Sequence, residues 1–159
     1  MLGLSPRRVL RRDWCRLIRH ARAEAWRRGR FLKVTRLGHA DRHDPRPDTA
    51  LLVGHSFGGS RCVSIAKTLE RVPWLVLIEP VPRRGWGICD AKSFRLPGSV
   101  RNAACFLRRR FWGMPPFSHP IRRAAGRFVN ERLGVWHDAI VRRPEVRATL
   151  TQAVADVCG

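Results

Sequence analysis

The segment Leu51-Leu52-Val53-Gly54-His55-Ser56-Phe57-Gly58-Gly59 holds the residues best suited to chemistry. A serine hydroxyl is a weak nucleophile until a sharp turn presents it beside a base. Ser56 follows an apolar run and is flanked at two-residue spacing by Gly54 and Gly58. Small residues there let the backbone fold tightly and let a strand and a helix approach. A helix starting just after Ser56 would aim its first N–H groups and the positive end of its dipole at a forming oxyanion, with the Phe57 N–H as one donor. GxSxG alone occurs by chance. A strand before it and a helix after it make it a nucleophile elbow.

The flanking sequence supplies both elements. Residues 50 to 54 are a continuous apolar run, as in a strand buried on both faces of a parallel sheet. Gly58 to Arg71 reads as a helix and Trp74 to Ile78 as a second buried strand, so the three form a βαβ unit. Upstream, residues 6 to 28 read as a helix with Leu10, Trp14, Leu17, Ile18 and Ala21 at helical spacing and Gly29 as its stop. Phe31 to Leu37 fits a short strand, and 38 to 49 a polar loop. His39, Asp41, His43 and Asp44 lie in that loop, but no second cluster completes a metal site. Residues 80 to 99 read as a loop or cap, Val100 to Leu107 as a strand or a helix, and Arg108 to Pro120 as irregular. A last helix spans 144 to 157, with Pro144 in its first turn and Val146, Leu150, Val154 and Val157 on one face.

The elbow and the following Leu75-Val76-Leu77-Ile78-Glu79-Pro80-Val81 resemble the esterase, lipase and thioesterase branch of the α/β-hydrolase superfamily. The resemblance covers about residues 50 to 159 and continues through Asn130 to Val141, which looks like the late loop of such proteins, with a histidine before the last helix. It implies a three-layer α/β fold around a parallel sheet. With 159 residues, that sheet is expected to be reduced in strand number. It divides the chain into a basic helix and loop at 1–49 and a hydrolase-like core at 50–159. In such a fold the triad runs Ser, acid, His along the chain. His137 fits that order better than His119, which sits among prolines. His20, His39 and His43 come too early, and His55 is tied beside the nucleophile. The acid is Glu79 or Asp90, since residues 91 to 130 contain neither Asp nor Glu. Glu79 is favoured because it ends the strand after the elbow, on the edge where ligands collect. The family has Asp there, and its usual oxyanion loop ahead of the elbow is not visible in this chain. Trp86, Phe94, Phe111, Trp112 and Phe117 offer apolar surface for an acyl group, or core.

These residues predict a serine hydrolase acting on a carboxylic ester or thioester with Ser56, His137 and Glu79, a small-molecule acyl substrate, and no cofactor or metal. The alternatives are an inactive or truncated homologue and a basic polyanion-binding module. The balance of 32 Lys+Arg against 12 Asp+Glu, net +20, would attract phosphates or anionic surfaces. The basic residues are nearly all Arg, which a GC-rich genome also supplies. Trp14 and Trp26 alone make no stacking platform, so nucleic acid is disfavoured as a partner. Five Cys lack metal-type spacing, and neither a secretory segment nor a membrane span is legible, so a cytoplasmic setting is expected. Oligomeric state is not legible.

Overall fold

A computed structural model describes residues 6–35, 48–81, 89–90, 93–108, 120–123, 126–136 and 139–159. The protein is α/β. Its main sheet has four strands, all parallel: β1 (Leu51–His55), β2 (Val72–Ile78), β5 (Val100–Arg108) and β7 (Phe128–Leu133), in that spatial order. A second sheet joins three short strands, β3 (Cys89–Asp90), β4 (Ser93–Arg95) and β6 (Ile121–Arg123). Helix α2 (Phe57–Ala66) connects β1 to β2. The contacts divide the chain into two units, Met1–Thr35 with Trp136–Gly159, and Arg36–Val135.

In the second unit the core forms where α2 meets the sheet. Cys62, Val63 and Ala66 of α2 pack with Leu52, Leu75, Leu77, Ala103, Cys105 and Leu107. The alternate residues Trp74, Val76, Ile78, Ala104 and Phe106 are buried as well. Burial on both faces is why Trp74–Ile78 of β2 and Ala103–Leu107 of β5 read as apolar runs without alternation. β2 starts earlier than its apolar run suggests and passes through Pro73. Proline lacks the N–H a ladder needs, and the pairing with β5 skips it. Asn102 spans the gap, donating from Nδ2 to the Pro73 carbonyl at 3.2 Å and accepting the Arg127 N–H at Oδ1.

Four expectations change. Residues 80 to 99, read as a loop or cap, contain the short strands β3 and β4. Helix α2 stops at Ala66, short of Arg71, because its last carbonyls are taken. The Thr68 N–H and hydroxyl both donate to Ile65, and the Ser99 hydroxyl donates to Ala66 at 2.6 Å. Phe31 to Thr35 is not a strand; Phe31 is 85% exposed and the segment joins no ladder among the described residues. Asn130 to Leu133 belongs to β7, not to a loop. β7 is an edge strand whose residues are mostly exposed, and its polar Asn, Glu and Arg suit an edge better than a buried strand.

In the first unit, α1 (Pro6–Arg27) packs with α3 (Pro144–Cys158) and with the 3-10 turn Ile140–Arg142. Arg142 Nε donates to Asp13 Oδ2 at 2.7 Å, and His20 Nε2 lies 2.8 Å from Thr151 Oγ1. Partners advance together along both segments, so the two helices run in the same direction. Asp13 is 5% exposed. Removing one partner of a buried polar group costs about 1–3 kcal/mol. Arg142→Ala is therefore expected to lower the midpoint of thermal unfolding by roughly 2–10 °C, followed by circular dichroism. Arg12→Ala, on an exposed residue with no carboxylate partner among the described residues, should leave it unchanged.

Candidate active site

Ser56 lies between the last residue of β1 and the first of α2, with φ 55° and ψ −128°. Positive φ is uncommon for a residue with a Cβ and costs about 1–3 kcal/mol. Such a conformation persists only if its surroundings over-determine it, and they do. The Ser56 N–H donates to the Ile78 carbonyl at 3.0 Å. The Ser56 carbonyl accepts from Gly59 N–H at 3.0 Å and Val81 N–H at 3.1 Å. The Ser60 hydroxyl donates to the Val81 carbonyl, tying α2 to the same segment. The Ser56 side chain makes no capping bond to the helix behind it, so its hydroxyl is not consumed locally.

Two glycines make this turn sterically feasible, and they are not the pair flanking Ser56. A Cβ on Gly54 would stand 2.5 Å from the Gly58 carbonyl oxygen and 2.7 Å from the Gly59 Cα. A Cβ on Gly59 would stand 2.7 Å from the Pro80 Cβ. A Cβ on Gly58 would meet nothing within 4 Å. The close approach expected of Gly54 and Gly58 thus belongs to Gly54 and Gly59.

Glu79 directly follows β2 and stands beside Ser56, because the register pairs His55 with Ile78 one step earlier. It is 1% exposed and has φ 44°. Its N–H donates to the Phe106 carbonyl at 2.7 Å, and Arg108 Nε lies 3.3 Å from its Oε1. Arg108 is the last residue of β5. The C-terminal edge of the sheet thus carries Ser56, Glu79 and Arg108 on three adjacent strands, on the side where ligands bind in parallel sheets. Sequence reasoning missed Arg108, because only the sheet order places β5 beside β2.

Family models, curated proteins and solved structures gave no match to this chain. The site therefore rests on its own geometry. His137 and His119 lie outside the described residues, as do His39, Asp41, His43 and Asp44, and Trp86, Phe111, Trp112 and Phe117. Asp90 has its backbone in β3, in the other sheet from Ser56, and its carboxylate is outside the described part, as is the ring of Phe94. Phe57 is the first residue of α2 and is exposed. His55 is buried. Cys62 and Cys105 are buried thiols pushed up by desolvation, Cys62 to about 12, so neither offers a thiolate nucleophile. Among the described residues no group of three His, Cys, Asp or Glu is placed to hold a metal ion, and no helix is long and apolar enough to cross a membrane.

The steric difference between the glycines is directly measurable. Gly58→Ala should fold with an unfolding midpoint at or slightly above that of the parent, since alanine gains up to about 1 kcal/mol of helix propensity. Gly54→Ala and Gly59→Ala, each driven into atoms that cannot swing aside, should lose several degrees or fail to accumulate as soluble protein.

Proposed function

We propose that the protein is a serine hydrolase of the α/β-hydrolase type, cleaving carboxylic esters or thioesters with Ser56 as nucleophile. The observation that carries this reading is the Ser56 backbone, held by three hydrogen bonds at positive φ on a strand-to-helix turn while its hydroxyl makes no cap. An ordinary helix start would use a serine hydroxyl to cap N–H groups. Here the hydroxyl is presented instead, and strain at such a point fits a function. In this reading Ser56 Oγ attacks the acyl carbonyl and expels the alcohol or thiol. The Phe57 N–H, at the positive end of α2, stabilises the oxyanion. His137 takes the serine proton, passes it to the leaving group, and then activates the water that releases the acid. Glu79 orients the imidazole and stabilises its cation. The α/β-hydrolase assignment, three layers around this sheet and the acyl substrate all belong to the same proposal.

A fluorophosphonate probe on the purified chain should label Ser56, and Ser56→Ala should abolish both the label and hydrolysis of nitrophenyl esters. Labelling that persists in Ser56→Ala removes Ser56 from the role. An acyl-chain series of the same esters then reads the substrate.

The pairing of Glu79 with Arg108 favours a second reading, in which Glu79 is a structural ion pair and the fold is an inactive homologue. Glu79→Gln separates the two. As an orienting acid its loss should lower kcat by about 10⁴-fold with the fold retained. As a structural pair it should lower the unfolding midpoint and leave any turnover within tenfold.

A further inference from the structure

Helix α1 ends in a chain reversal. Gly29 has φ 67°, its N–H donates to the Trp26 carbonyl at 2.9 Å, and the Arg30 N–H donates to the Ala25 carbonyl at 3.0 Å. This pair of bonds is the Schellman arrangement, which needs the left-handed conformation glycine allows. It turns the chain back, so that Phe31 and Leu32 come beside the last turn of α1. The result is a cavity of about 430 Å³ lined by Trp26, Phe31 and Leu32 together with Arg22, Arg27 and Arg30. Trp26 is 76% exposed and Phe31 85%. Two large exposed rings lining one groove offer an apolar surface that the core does not use.

The charge around them has one sign. The acids of α1, Asp13 and Glu24, are buried and bonded to arginines. Glu24 takes both Arg27 and Arg28. Arg22 and Arg30 have no carboxylate partner among the described residues, and Arg11, Arg12, Arg16 and Arg19 are exposed along the same helix. Arginine both pairs with phosphate and stacks on flat rings.

We propose that this slot binds single-stranded nucleic acid, one base lying against Trp26 and Phe31 and the neighbouring phosphates on Arg22 and Arg30. Aromatic platforms beside a cationic track are how unpaired strands are held without regard to sequence. Trp14 cannot serve as the second ring, since it stands about 18 Å along the helix from Trp26; Phe31, brought back by Gly29, can. A duplex keeps its bases stacked on each other and offers no free face. A bilayer fits less well, because α1 has its apolar stripe of Leu17, Ala21 and Ala25 already buried and so offers no free apolar face along its length.

The test is fluorescence anisotropy of the full chain with a fluorescein-labelled 12-nucleotide oligo(dT) between 50 and 200 mM salt. Binding should weaken with salt. Trp26→Ala and Phe31→Ala should each weaken it about tenfold without changing the salt slope. Arg22→Ala with Arg30→Ala should lower the slope by about 1.4. These side chains are exposed, and circular dichroism should show the helices intact. Equal affinity of the ring variants and the parent would overturn the proposal, as would tighter binding to a duplex of the same length. So would co-sedimentation with phosphatidylserine vesicles that needs both rings while oligo(dT) binding does not.

Discussion

Helix α2 begins so close to β1 that no side-chain atom fits between them. The Gly54 position faces the backbone of Gly58 and Gly59, and Gly59 faces Pro80, both nearer than a Cβ can stand. This contact sets the rest of the site. A chain leaving β1 has one residue, Ser56, in which to reverse into α2, and it does so at positive φ. The same residue is clasped by the end of β2 through Ile78 and Val81, so strand, helix and following segment are fixed together. A side chain held this firmly starts from a fixed position, which is the benefit of placing it at the ends of regular elements.

Carboxylates show a second regularity. Asp13, Glu24 and Glu79 are buried, and each holds at least one arginine. Glu145, in the first turn of α3, is held below the usual carboxylate range, chiefly by its hydrogen bond from Arg143. Among the described residues, several of the few acids serve as counter-ions to arginines that face water, as Asp13 does for Arg16 and Arg142 and Glu24 for Arg27 and Arg28.

Much of this was legible in the residues. The apolar runs of β1 and β2, the strand-to-helix turn after β1, and the helices α1 and α3 follow from periodicity, apolar length and breakers. What escaped depends on partners remote in sequence. The end of α2 is decided by Ser99, thirty-odd residues later. β7 carries the polar residues of an edge strand, so it lacks the apolar signature of its neighbours. Gly58 completes a familiar pattern, yet the packing falls on Gly59, because Pro80 is the atom group that must be avoided. Within the site, Ser56 and Glu79 were readable as strand-end residues. The guanidinium of Arg108 was not, since only the sheet order brings β5 next to β2.

Ser56 and Glu79 end adjacent strands, and both adopt backbone angles at which glycine would rest comfortably. At Ser56, under the proposed role, heat tolerance and reactivity pull in opposite directions, whereas glycine at Glu79 would strip Arg108 of its buried partner. A laboratory evolution scheme that scored only survival at high temperature would be rewarded for placing glycine at Ser56 alone. The hydroxyl would be among the first groups it discarded, and the hardier descendant would keep the architecture without it.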